Sequence, residues 1–251
     1  MCRLLGFVSR RPTTLRELLG EEELAEFTEL SLKHGDGWGF ARATADGVEV
    51  TKAPDAARTS PLFASVAAGQ TADLGLLHLR WATLGLGVVP ENTHPFTDGR
   101  IAFAHNGSVK PPESLDPFIP ADLATLRRGT TDSERYFLAT LAAARDGDPD
   151  TALERSAVRI SRECAFSSLN AMIVTPEELQ VITLFDPVAE AREAEPHYYR
   201  IGYRVNADSV VVSSSGWGSG WTFLQNGELL TVDRSTREVR IRRVADAPVA
   251  S

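Results

Sequence analysis

An apolar run opens this 251-residue chain at its second position: Cys2, Leu4, Leu5, Gly6, Phe7 and Val8, broken only by Arg3 and closed by Ser9-Arg10-Arg11-Pro12. A run of that length, ended by charges and a proline, reads as a buried strand over residues 2–9. The fold must therefore take the beginning of the chain into its core. The same run is too short for a signal peptide. No stretch of the sequence approaches the ~20 apolar residues that span a bilayer.

The rest of the chain follows in a telling order. Leu15, Leu18, Leu19, Leu24, Phe27 and Leu30 fall near helical spacing and predict a helix over residues 14–33, with Gly20 as a candidate break. The loop Gly35-Asp36-Gly37-Trp38-Gly39 leads to strands near 40–42 and 48–51, separated by Asp46-Gly47. A short helix is expected over 61–68, a central strand over 73–82 and another strand over 100–105, ending at Asn106-Gly107. Residues 110–120, with four prolines, predict an irregular loop. Thr131-Asp132-Ser133-Glu134 has the capping-box pattern and opens a helix to about Arg145, followed by a second over 150–163. Strands are then expected at 169–174, 179–185, 198–205, 210–213, 229–232 and 239–244. Strands on both sides of a central helical pair, without βαβ alternation, predict an α+β fold of largely antiparallel sheets covered by helices. No linker or repeat divides the sequence, so residues 1–251 are expected to form a single domain.

A formal net charge of -8 argues against a surface built for nucleic acid or anionic lipid. Two cysteines, Cys2 and Cys164, make no disulfide scaffold and fit a reducing, cytoplasmic setting. Cys164 falls in register with Leu153, Ala157 and Ile160 and reads as core. The five histidines show no paired-ligand spacing, and no metal or cofactor is expected. The glycine–serine stretch 213–220 lacks the strand–elbow–helix setting of a serine nucleophile and reads as a flexible loop.

Cys2 carries the strongest chemical suggestion. Removal of Met1 would leave one residue bearing both a thiol, ordinarily near ~8.5, and a free α-amine, ordinarily near ~8. A nucleophile and its proton acceptor then sit within reach of each other. Position alone favours a plain buried cysteine, and the segments that follow reverse that preference. They are Gly35-Asp36-Gly37-Trp38-Gly39, His78-Leu79-Arg80-Trp81-Ala82-Thr83, Asn92-Thr93-His94-Pro95-Phe96, His105-Asn106-Gly107 and Thr131-Asp132-Ser133-Glu134.

In this order and spacing, from Cys2 to about Leu141, the chain resembles the class II glutamine amidotransferase domain, and more closely its stand-alone bacterial members than the multidomain synthases. The resemblance implies the N-terminal-nucleophile hydrolase fold, a four-layer αββα sandwich of two mainly antiparallel sheets between helices. It also implies roles. Arg80 would bind the substrate α-carboxylate, for which a guanidinium fork is suited, and Asp132 the α-ammonium. Asn106 and Gly107 would form the oxyanion hole, Trp81 and Thr83 would shape the pocket, and Gly37 would let backbone approach the substrate. His94 would support the loop beside the nucleophile, while Trp38 reads as core.

The activity implied is hydrolysis of the γ-carboxamide of glutamine, with ammonia passing to a separate synthase. A hydrolase of another γ-glutamyl amide, as in ergothioneine biosynthesis, and a non-catalytic binding protein of the same fold remain alternatives. Many biosynthetic members carry His directly after Arg-Trp-Ala-Thr where this chain has Leu84, which weakens the expectation of tight coupling to a synthase.

Overall fold

The computed structural model describes residues 2–82, 85, 87–193, 195–215, 217 and 219–245. Its first sheet has seven strands: β1 (Arg3–Thr13), β2 (Trp38–Ala43), β3 (Val48–Ala53), β4 (Ala72–Leu79), β9 (Gly202–Val205), β10 (Ser209–Ser213) and β11 (Thr222–Phe223), in the order β11-β9-β10-β1-β4-β2-β3. The second has six: β5 (Phe96–Thr97), β6 (Ala102–Lys110), β7 (Ala165–Val174), β8 (Glu178–Thr183), β12 (Glu228–Asp233) and β13 (Val239–Arg243), in the order β13-β12-β8-β7-β6-β5. Among the described residues every strand pairing is antiparallel. The helices are α1 (Leu15–Glu29), α2 (Pro61–Gly69), α3 (Ala121–Ala124), α4 (Asp132–Arg145), α5 (Ala152–Glu163) and α6 (Pro187–Glu190).

The period of two along β1 explains how the layers stack. Leu5 and Phe7 face Leu15, Phe27 and Phe63 of α1 and α2, whereas Leu4 and Val8 face the other sheet through Met172, Val174, Leu179 and Val181. On the far side of the second sheet, Phe103, Leu169 and Ile182 pack on Tyr136 and Leu141 of α4 and on Leu153 and Ile160 of α5. Three apolar layers thus separate four structural ones, helix, sheet, sheet and helix, as expected. A strand covered on both faces reads as a continuous apolar run, which is what residues 2–9 displayed.

Local chemistry sets the boundaries. Thr14 caps α1 by accepting from Glu17 N while the Glu17 carboxylate accepts from Thr14 N, and Gly20 (φ 77°) interrupts the helix where a break was anticipated. Asp73 and Arg234 form a paired ion bridge (2.7 and 3.0 Å) that fastens β4 to the end of β12 across the two sheets.

Several expectations need correcting. β1 continues through Arg10-Arg11-Pro12 to Thr13, because its exposed end carries polar residues without leaving the sheet. The 110–120 segment contains 3-10 turns over Pro112–Phe118, which bury Leu115 and Phe118. Tyr198, Tyr199 and Ile201 are buried but precede β9. Cys164 caps the end of α5 and packs against the core, its thiol 3.5 Å from Ser114 O.

Candidate active site

Cys2 stands at the entrance of β1, the strand flanked by β4 and β10. Arg3 pairs with Leu79 across the β1–β4 ladder, and continuing that register sets Cys2 opposite Arg80. Leu4 is fixed from the other side: its N–H donates to Ser214 Oγ (2.9 Å) and its carbonyl accepts from Ser214 N (3.0 Å). Ser213 and Ser214 are therefore buried ties for the strand that Cys2 precedes, a correction to the flexible loop expected there; Gly216 and Gly218 of that stretch lie outside the described residues. The Cys2 thiol lies 3.8 Å from Trp81 O. Burial pushes this thiol up from its ordinary value; a backbone hydrogen bond with Trp81 and the Arg80 charge oppose that shift, and the Asp132 charge adds to it. At neutral pH the sulfur is held protonated.

Arg80 is 3% exposed, and its guanidinium is aimed by two carbonyls: Nη1 donates to Asp36 O and Nη2 to Gly87 O, both at 3.2 Å. Its backbone is locked to the same loop, Arg80 N donating to Gly37 O (2.7 Å) and Asp36 N to Arg80 O (3.0 Å). Asp36 also accepts from Ala82 N at 2.8 Å. Gly37 has φ 138°, and a Cβ there would lie 3.0 Å from the Thr93 side chain, so both conformation and space call for glycine. Trp81 is 40% exposed beside His34 and Lys33, whose ammonium sits 5.0 Å from its ring centroid. Thr83 and Leu84 lie outside the described residues.

Asn106 and Gly107 sit within β6, not at its end. Tertiary pairing with Asn170 and Leu169 overrides the turn preference of the Asn-Gly pair. A Cβ at Gly107 would lie 1.8 Å from Ser168 O, an overlap no side chain tolerates. The Asn106 side chain is wholly buried, and among the described residues neither Nδ2 nor Oδ1 has a hydrogen-bond partner. Two residues on, the β6–β7 register shifts between Ser108 and Val109, and Val109 N donates to Asp132 Oδ2 at 2.7 Å. Asp132 occupies the first turn of α4, where the helix dipole favours its charge. Thr131 accepts from Glu134 N as a cap should, but the Glu134 carboxylate turns instead to Arg128 N and Gly129 N, both at 2.7 Å. The capping box expected there is thus half formed.

Three buried histidines surround these residues. His105 Nε2 donates to Ser168 O (2.9 Å), which leaves Nδ1 to accept from Ser133 Oγ (3.0 Å) in the neutral ring that burial favours. His78 and His94 pack ring on ring at 4.1 Å; burial, reinforced by neighbouring positive groups, holds both well below the ordinary histidine range. His94 is thus an uncharged packing element of the loop before β5. That loop is held by Lys52, whose Nζ donates to Thr93 O (2.6 Å) and Pro95 O (3.3 Å).

Burial pushes Lys52 from 10.5 down to about 8. Between these values the unfolded chain holds a proton that the folded protein lacks, so stability should rise with pH across the interval. Urea-denaturation midpoints followed from pH 8 to 10.5 should show this rise, and Lys52→Met should flatten it. An equal rise in the variant would assign it to other groups.

The structure therefore gathers Cys2, Arg80 and Asp132 into one electrostatic neighbourhood. Sequence reasoning missed Asp36, Lys52, Asn92 and Ser214, which act through backbone groups. Only Asp36 and Asn92, inside quoted motifs, carried any signal.

Two antiparallel sheets between helices, with a cysteine opening an interior strand of one, form an N-terminal-nucleophile-hydrolase-like fold. The family model "Glutamine amidotransferases class-II" matches residues 1–172, and the chain belongs to that family. A putative glutamine amidotransferase of Haemophilus influenzae is 34% identical over 143 residues, which is 55% of this chain and 46% of that protein; the match thus spans about half of the curated relative's length. Among solved structures, a glutamine aminotransferase class-II domain protein from Silicibacter pomeroyi superposes with a TM-score of 0.69 at 23% identity, covering 97% of this chain and all of that one. Glutamine phosphoribosylpyrophosphate amidotransferase of B. subtilis superposes with a TM-score of 0.62 at 16% identity, over 97% of this chain and 49% of that one. These superpositions agree on the fold.

Proposed function

We propose that the protein hydrolyses the γ-carboxamide of glutamine through a γ-glutamyl thioester on Cys2. What supports this reading is the β1–β4 register, which sets the Cys2 thiol opposite the buried Arg80, together with the opposite charge of the half-buried Asp132, which also acts on that thiol. An amino acid presents the complementary pair, a carboxylate for Arg80 and an ammonium for Asp132.

Because burial keeps the thiol protonated, attack needs a base, and the α-amine that Cys2 gains on loss of Met1 supplies one. The amine takes the thiol proton as sulfur bonds to the amide carbon. Asn106 Nδ2 and the Gly107 N–H donate to the resulting oxyanion. Collapse breaks the C–N bond, and the amine's proton leaves with ammonia. Water then attacks the thioester, releasing glutamate and restoring the thiol. The clamp holds the glutamyl end through both halves of the reaction, so orientation persists between them.

Protein confirmed by mass to lack Met1 should release glutamate from glutamine and show a transient adduct of glutamyl mass on its N-terminal peptide. Folded, correctly processed protein that releases none would overturn the proposal. Turnover confined to other γ-glutamyl amides would move the specificity to the amine half of the substrate.

A further inference from the structure

Arg80 directly follows β4 of the first sheet, whereas Asp132 opens α4, the helix packed on the second. Asn92, 3% exposed in the short 3-10 turn Pro90–Asn92, touches a carbonyl partner of Arg80 and the segment that leads into Asp132. Its Nδ2 donates to Gly87 O (3.2 Å), the carbonyl that also accepts from Arg80 Nη2. Its Oδ1 accepts from Thr130 N (2.9 Å), and Nδ2 lies 3.4 Å from Thr130 Oγ1, two residues before Asp132. The backbone on that side is shaped to meet it. Glu134 gathers Arg128 N and Gly129 N, and a Cβ at Gly129 would lie 2.3 Å from Asn92 Oδ1.

We propose that Asn92 is a positioning residue that holds the carboxylate-binding and ammonium-binding halves of the clamp in one register. An amide is suited to this task because it donates and accepts at once, and the two walls offer a carbonyl on one side and an N–H on the other. Aspartate would keep the acceptor and lose both donations; alanine loses all three contacts. The inference rests on the glutamine-hydrolase reading. It adds that the two charges act as one rigid element and not as two independent contacts.

The test compares wild-type protein with Asn92→Ala and Asn92→Asp on two substrates: glutamine, and glutaric acid monoamide, which lacks the α-ammonium. In the wild type, loss of the ammonium should raise KM strongly. In Asn92→Ala the glutamine KM should rise about tenfold or more, while the further penalty for the missing ammonium shrinks, since that contact is already out of register. Asn92→Asp should fall between the two proteins. Alkylation of Cys2 by iodoacetamide, which needs no clamp, should proceed at the wild-type rate in both variants, and thermal midpoints should show them folded.

An Asn92→Ala glutamine KM within threefold of wild type would overturn the inference. So would an undiminished ammonium penalty, or a parallel fall in alkylation rate that marks general damage. Wild-type protein that turns over neither substrate would instead overturn the functional reading on which the inference stands.

Discussion

Cys2→Ala is expected to lower glutamate release from glutamine by at least about 10⁴-fold, the scale on which removal of an attacking group acts when the rest of a site is intact. The substitution removes the sulfur and leaves the strand: Leu4 keeps its ties to Ser214, and Arg80 keeps both of its carbonyl partners. The variant should therefore fold and still bind glutamine, measurable by calorimetry or by protection against heat. Retained turnover in Cys2→Ala would remove the thioester from the mechanism. Lost turnover together with lost binding would point to a collapsed site and would not test the nucleophile.

Asn106→Ala should reduce kcat by about 100- to 1000-fold with little change in KM, because an oxyanion donor acts chiefly on the transition state. Its effect on stability should run the other way. Among the described residues the buried Asn106 amide has no partner, so removing it sacrifices no hydrogen bond with them and relieves a desolvated polar group. Parallel measurement of kcat and the thermal midpoint should separate the two: activity down, midpoint unchanged or higher. A midpoint that falls with kcat would make Asn106 structural. Gly107→Ala should prevent folding outright, since Ser168 O occupies the place of its side chain.

The elements most legible in the sequence were those whose physics is local. The helix cap at Thr131, the kink at Gly20 and the buried run after Cys2 all announce themselves within a few residues. What escaped depends on distant partners. The two-residue strands at Phe96 and Phe223 are too short for any periodicity to show. The Asn106-Gly107 pair has the composition of a turn, and only its neighbour β7 makes it strand. Tyr198 and Tyr199 are apolar because they are covered, not because they are extended. In the site, the side chains that would face a substrate carried family motifs, whereas the groups holding them were obscure. Asn92 meets Thr130 across 38 residues, and nothing in either segment alone foretells the contact.

The position of β1 between β4 and β10 sets an order of events during synthesis. Leu5 pairs with Leu77 on one side and with Ser213 on the other, so β1 waits for a strand far downstream in the chain. While the chain emerges from the ribosome, N-terminus first, the thiol exists without the sheet that encloses it. The surroundings of Cys2 are therefore assembled only when both flanking strands are in place.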